Sequence, residues 1–356
     1  MTSGNIGSSQ AGPQNTPAHL GYRMPAEWVR HEATWLAWPH HEAMWPGRRL
    51  DKIRHLYLEI MEALLDGEKV YLLVPPDQKE EILKFIRAAG LATKNLVLHP
   101  VLTQDVWIRD YGPIFLKKDS GQKAWCKWRF NAWGLKYKTL LADNEVFREA
   151  ASIIPYPCFH ADLVLEGGAI EVNGEGVCLA NEQCLLNENR NPGIYLQTME
   201  HHLKDYLGVS HFVWLKEGIV GDDTNGHIDN LARFVSADTI LVAAEDNSSD
   251  ENYDSLKINW DCLVRSKDRA GKRWNLVPLP MPGRVVEKGQ RFPASYANFY
   301  VGNKVVLLPV FGHPHDDRAF RILREHFPDR IVLCLSCRHL ITGQGAIHCI
   351  TQQEPA

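Results

Sequence analysis

The chain has 356 residues, 39 basic and 43 acidic, for a formal net charge of −4, with 45% hydrophobic and 23% charged side chains. These are ordinary values for a globular protein: no basic excess exists to neutralise a nucleic-acid backbone, no apolar run reaches the roughly 18 residues of a membrane span, and the apolar content is too high for a disordered chain. The eight scattered cysteines are too sparse for a disulfide scaffold and fit a reducing compartment.

Residues 1–18 are rich in Gly, Ser, Asn and Pro and lack the basic and apolar regions of a secretory signal. They read as part of a flexible tail over residues 1–20 in a cytoplasmic protein, with order beginning near Tyr22. From there helical and strand patterns alternate. Ile53, Leu56, Ile60, Met61 and Leu64 form one apolar stripe in a helix over Arg49–Asp66, which Gly67 stops. KVYLLVPP is a strand closed by Pro75 and Pro76, and Asp77 with Glu80 has capping-box spacing for a helix ending at Gly90. NLVLHPV is again strand-like. Further helices are expected over Asp143–Ile154, Thr198–Leu207, Asn252–Lys267 and Asp316–Phe327, and further strands in LVLEGGAIEV, GVCLA, HFVWL, HIDNLARFV, TILVAA, KVVLLPV and RIVLCL. Length alone suggests about two domains, but no composition break follows the tail. The expectation is one α/β domain over residues 21–356, and the lack of GxGxxG or GxxxxGK[ST] after an early strand weakens a doubly wound sheet.

Four segments carry residues that core packing does not explain. QDVWIRDYGP places Trp107 and Asp110 in a short strand before a Gly-Pro turn, where a carboxylate can point into a cleft. In LEGGAIEVNGEG, Glu166 precedes a glycine pair that marks a bulge or a close approach. In GDDTNGHIDN, His227 and Asp229 share one face if the segment is extended, a pairing suited to acid–base work or cation binding. In TGQGAIHCITQQ, Cys349 and His348 follow a flexible Gly-rich turn in a β-type run. HPHDD reads as the start of a helix rather than as metal ligands, and Cys334 with Cys337 forms an isolated CxxC in an apolar run.

Gathered at one place, these segments would supply a thiol, an imidazole and the carboxylates of Asp110, Glu166 and Asp229. Several carboxylates buried together need a compensating cation. With no metal-type spacing, a cationic substrate is the simpler compensator, and a guanidinium pairs with carboxylates bidentately. A thiolate aimed at its central carbon gives covalent catalysis.

The sequence resembles the agmatine deiminase and bacterial-type peptidyl-arginine deiminase family of guanidino-group-modifying enzymes. The resemblance runs through MPAEWVRHEATWLAWP, WIRDYGP, RFNAWG, LEGGAIEVNGEG, CLLNENRNP, GDDTNGHIDN, PASYANFY and GQGAIHCITQQEP, in order and over nearly the whole chain after the tail. It implies a five-bladed α/β propeller (pentein) with pseudo-fivefold symmetry. It makes Cys349 the nucleophile, His227 the general acid–base, and Asp110 and Asp229 guanidinium-binding carboxylates, with Glu166 orienting the substrate and Trp107 lining the site. The implied reaction converts agmatine to N-carbamoylputrescine and ammonia through an amidino-cysteine, with no metal or other cofactor. Two departures bear on the substrate: GDDTNGH is one residue shorter and less acidic than is usual in the agmatine enzymes, and GQG stands where GGG is usual. Asp222 and Asp223 are candidates to hold the distal amine. A peptidyl or other substituted guanidine is the second substrate class, and a metal-dependent amidinohydrolase or a silent guanidine-binding protein are the competing readings. Nucleic-acid and membrane partners are not expected; a homo-oligomer is compatible with the chain.

Overall fold

The computed structural model describes residues 15–149 and 151–356. Among them, five sheets share one plan. A short strand pairs antiparallel with a central strand, and the chain then crosses over through helical segments to a third strand parallel to the second. The second sheet is Ile114–Lys117, Lys123–Arg129 and Cys158–Val164. The third is Ile170–Val172, Val177–Asn181 and His211–Leu215, with helix Leu196–Leu207 as crossover. The fourth is Ala232–Phe234, Thr239–Ala244 and Asn275–Pro280, crossing through Tyr253–Arg265. The fifth is Tyr300–Val301, Val305–Val310 and Ile331–Ser336, crossing through Asp316–His326. The first sheet is completed by the last strand: Gln352–Pro355 pairs antiparallel with His31–Ala37, which is parallel to Lys69–Val74 across helix Arg49–Leu65, and Leu96–Pro100 adds a fourth strand. The fold is mixed α/β.

The central strands are short apolar runs such as TILVAA and VVLLPV, buried along most of their length. A strand covered on both faces needs continuous rather than alternating apolar residues. The helix Arg49–Leu65 buries Ile53, Leu56, Ile60, Met61 and Leu64, the stripe its spacing predicts. Gly208 ends Leu196–Leu207 in the left-handed conformation, at φ 68°, that spares a glycine the Cβ clash. None of the described helices is long and apolar enough to cross a membrane.

Several local expectations are corrected. The Asp77/Glu80 capping box does not form: the helix starts at Lys79 after Gln78, which makes no side-chain cap bond. Asp143–Ile154 is not one helix but a 3-10 turn Lys138–Glu145, the single turn Val146–Glu149 and a further turn Ala151–Ile153. LVLEGGAIEV breaks at Gly167–Ala169 into two strands of different sheets. Of the expected tail, residues 1–14 lie outside the described residues, whereas the backbone N–H of Ala18 donates to Asp205 O at 2.9 Å, so packing starts before Tyr22.

The plan matters for function because each sheet hands over to the next through a loop. Those connections run from Leu96–Pro100 to Ile114–Lys117, from Cys158–Val164 to Ile170–Val172, from His211–Leu215 to Ala232–Phe234, from Asn275–Pro280 to Tyr300–Val301, and from Ile331–Ser336 to Gln352–Pro355. Besides the turn Ile341–Gly343 in the last, four of them contain one helical turn each: Ile108–Tyr111, Gly167–Ala169, Ile228–Asn230 and His348–Ile350. These turns pack on one another.

Candidate active site

The candidate site residues of all four segments lie in those connections rather than in the extended strands their short apolar runs suggest. Asp110 is in the turn Ile108–Tyr111. His227 precedes Ile228–Asn230, which contains Asp229. His348 and Cys349 open the turn before the last strand. A single turn of helix leaves no periodicity to read, so its residues pass for a strand.

Gly168 is the point of convergence. A Cβ placed on it would lie 2.6 Å from His227 Nδ1, 2.9 Å from Asp110 Oδ1 and 3.1 Å from Asp229 Oδ2. The Gly pair is thus a close approach between loops, and the backbone N–H of Gly168 donates to Asp110 Oδ1 at 3.0 Å. The other Asp110 oxygen accepts from Trp133 Nε1 at 2.9 Å. Trp133 reaches it from a left-handed stretch in which Ala132, Trp133, Gly134 and Leu135 have φ of 54°, 53°, 84° and 63°. Each non-glycine residue there costs about 1–2 kcal/mol, partly offset by Asn131 Oδ1 accepting from the Gly134 N–H at 2.8 Å.

The electrostatics follow from burial. His227 is fully buried, with Nδ1 3.8 Å from Asp110 Oδ1 and Nε2 4.0 Å from Glu166 Oε2. Burial opposes its protonation, but Asp110, Cys184 and Asp229 together hold the imidazole well above its ordinary pKa. Burial pushes the Asp110 carboxyl up to about 6, with His227 pulling against it and Asp229 and Glu166 adding to the rise. Burial and the charges of Asp229 and Asp110 push the Cys349 thiol well above its usual value. Its Sγ accepts from Asn298 Nδ2 at 3.1 Å and lies 3.6 Å from Asp229 Oδ2.

Glu166 is buried, and its Oε1 accepts from Arg190 Nε at 2.7 Å. Trp107 lines a cavity of about 430 Å³ together with Trp45, Asp110, Trp133, Asp223 and Cys349. The indole packs against the Gly-rich turn: a Cβ at Gly345 would meet the Trp107 ring at 2.5 Å. Asp223 lies on the cavity wall, where it accepts from the Tyr137 hydroxyl. Asp222 does not face the cavity; it shapes the loop by accepting from Thr224 N at 2.8 Å and His227 N at 3.2 Å.

Several contributors escape sequence reasoning. His348 is clamped between carboxylates, with Nδ1 2.8 Å from Asp229 Oδ2 and Nε2 2.8 Å from Glu27 Oε2. Glu27 is also 2.9 Å from Arg233, which pairs with Glu171 at 2.9 Å. Burial works against the Glu27 charge, but Arg233 and His348 win and hold its carboxyl far below the usual range. The same contest, decided by His348 and His227, lowers Asp229. His348 therefore fixes one Asp229 oxygen and leaves Oδ1 buried with no partner among the described residues. Asn298 and Trp133 fall inside PASYANFY and RFNAWG, but nothing in their residue types marks them.

The HPHDD segment is structural. Asp316 and Asp317 open the helix Asp316–His326, and Asp316 accepts from the backbone of Gly312 and His313 at 2.8 and 3.1 Å. Cys334 is exposed and Cys337 buried, both as free thiols.

Residues 23–355 match the model of the Porphyromonas-type peptidyl-arginine deiminase family. A protein of Legionella pneumophila (strain Paris) named "Putative agmatine deiminase" is 36% identical over 340 residues, covering 95% of this chain and 97% of the relative. Among solved structures, the agmatine deiminase of Enterococcus faecalis superposes with a TM-score of 0.88 at 28% identity, covering 96% of this chain and 97% of its own. A substrate-bound agmatine deiminase of C. jejuni superposes with a TM-score of 0.82 at 29% identity, covering 94% and 96%. With the match spanning nearly every described residue, the chain belongs to the Porphyromonas-type peptidyl-arginine deiminase family.

Proposed function

We propose that the protein hydrolyses the guanidino group of agmatine to N-carbamoylputrescine and ammonia through a covalent amidino-cysteine. The observation that carries this reading is the convergence of Asp110, His227 and Asp229 around Gly168, beside a cavity whose wall includes Cys349. Three buried carboxylates with unsatisfied oxygens on Glu166 and Asp229 call for a planar cation with several N–H donors. On this reading the five sheets are blades of a propeller, residues 21–356 form one domain, and each inter-blade connection delivers part of the site.

In the proposed sequence, Asp110 and Asp229 hold opposite edges of the guanidinium, and Glu166 orients it. The cation offsets the negative field that keeps the Cys349 thiol protonated, so substrate arrival favours loss of the thiol proton to solvent and leaves the thiolate. The thiolate attacks the guanidinium carbon. His227, held as imidazolium, gives its proton to the departing nitrogen, and ammonia leaves with the C–N bond broken. Neutral His227 then takes a proton from water, whose oxygen adds to the amidino carbon. Expulsion of the thiolate, with loss of the remaining hydroxyl proton to solvent, yields the ureido product. Asn298, donating to Sγ, stabilises the thiolate before attack and after release.

Agmatine is favoured because three indoles, Trp45, Trp107 and Trp133, wall the cavity and the carboxylate of Asp223 on the same wall is available to the distal amine. Incubation with agmatine, arginine and an arginyl peptide tests the reading. Ammonia with N-carbamoylputrescine from agmatine is expected. Citrulline residues from the peptide alone would transfer the same chemistry to a peptidyl substrate. Urea, or saturable binding without turnover, would overturn it.

The Asp110 carboxyl sets a pH dependence. A carboxyl raised to about 6 keeps its proton below that pH and cannot pair with a guanidinium. Agmatine affinity is therefore expected to fall as pH drops through about 6, with KM rising by up to about tenfold per further unit. Initial rates of ammonia release across pH check this, and Asp110→Asn should remove the acid limb along with most of the affinity. A KM independent of pH between 5 and 7 (about one unit on either side of that midpoint) would count against the role.

A further inference from the structure

The Nε2 edge of His227 faces away from Asp110 toward Glu166 and Cys184. Cys184 is fully buried in the helical turn Glu182–Leu185, and the proposed reaction gives it no task. A buried cysteine ordinarily packs as a small apolar residue. Here its neighbours are ionic instead: one donor atom each from Cys184, His227 and Glu166 all lie within 4.8 Å of one another. This is the one trio of that kind among the described residues. Two of its members are unsatisfied. Glu166 Oε2 and His227 Nε2 are buried and have no hydrogen-bond partner among the described residues. Arg190 occupies only the other glutamate oxygen, Oε1, at 2.7 Å.

An orphaned carboxylate oxygen, an orphaned imidazole nitrogen and a thiol lying within 4.8 Å of one another supply the donor set of a tetrahedral, thiophilic divalent ion with one position left open. We propose that Cys184, His227 and Glu166 form an inhibitory binding site for zinc or a similar thiophilic divalent cation. Binding releases two protons to solvent, one from the Cys184 thiol and one from the His227 imidazolium, in exchange for a metal–sulfur bond and the imidazole lone pair, and the carboxylate donates a further lone pair. The guanidinium-side charge of Arg190 opposes the ion, so a chelator should remove it readily. That occupancy blocks turnover rests on the deiminase reading, because the ion would take the His227 nitrogen and the Glu166 oxygen from the substrate; the binding itself does not depend on that reading.

The test uses the full chain freed of metal by chelation. Cobalt(II) is added as a spectroscopic stand-in, and zinc uptake is followed by equilibrium dialysis. Stoichiometric uptake and a thiolate-to-cobalt charge-transfer band are expected. The band should persist in Cys349→Ser and vanish in Cys184→Ser and in Cys184→Ala, with circular dichroism establishing that at least one of these last two is folded. A band lost in Cys349→Ser, a band retained in a folded Cys184 variant, or no stoichiometric uptake would overturn the site. In the activity arm, zinc should inhibit ammonia release in competition with agmatine, and a chelator should reverse it. A chain that binds cobalt through Cys184 but never releases ammonia would sink the deiminase reading and leave the metal site standing. Normal ammonia release with no metal uptake would do the reverse.

Discussion

Replacing Cys349 by Ala is expected to lower ammonia release from agmatine by about 10⁴-fold or more, the scale on which loss of a covalent nucleophile acts. No neighbouring group offers a substitute. Cys184 is the other thiol near His227, but it lies at the Nε2 edge with Glu166, whereas Cys349 lies 3.6 Å from Asp229 on the cavity side. Substrate binding should survive the change, because Asp110, Glu166 and Asp229 keep their positions. Removing a buried thiol that sits against two carboxylates also takes away no positive charge. Titration calorimetry with agmatine on the Cys349→Ala chain should therefore show retained affinity beside lost turnover. Release at the native rate would exclude covalent catalysis through Cys349. Lost binding would mean that the thiol supports the shape of the cavity rather than the chemistry.

How much of this was legible depended on how local the cause was. The run TILVAA is a strand from its first residue to its last, and the stripe from Ile53 to Leu64 lies on the buried face of its helix, because period and burial are written in neighbouring residues. Polar residues with no packing role, such as Asp110, Glu166, His227 and Asp229, stood out for the same reason; Asp110, His227 and Asp229 meet at Gly168, and Glu166 lies 4.0 Å from His227. Their backbone did not read correctly. HIDNLARFV looks extended, but only Ala232–Phe234 is strand, and His227 with Asp229 meet through a helical turn rather than by sharing a strand face. The clamp on His348 joins it to Glu27 across 321 residues of sequence, and Arg233 reaches Glu27 from yet another sheet. Nothing in PAEWV marks Glu27 as its end point. The fivefold recurrence of strand, strand, crossover and strand is invisible to comparison of one segment with another. Its units keep topology while varying content: the crossover of the second sheet is broken into short turns where the third uses twelve continuous residues.

Gly168→Ala is expected to cost about 10²-fold or more in kcat/KM, although it adds one methyl group to a residue that never touches the substrate's carbon. The backbone here is not the obstacle, since Gly168 is absent from the positive-φ positions. Space is the obstacle. The new Cβ would fall 2.6 Å from His227 Nδ1 and 2.9 Å from Asp110 Oδ1, well inside van der Waals contact. Neither neighbour is the loose end of a flexible side chain. Asp110 is tied through Oδ1 to the Gly168 N–H and through Oδ2 to Trp133, and His227 is fully buried. Relief must come by pushing the imidazole and the carboxylate apart, and a displacement on the order of 1 Å in an active site costs about 10²-fold in rate. Stability should fall by only about 1–3 kcal/mol, the usual cost of overpacking, so the chain remains folded while turnover collapses. Paired measurements of thermal melting and of ammonia release decide the matter. A folded Gly168→Ala chain with native kcat/KM would show that His227 and Asp110 need not meet at this glycine, and the proposed division of labour between them would fall with it.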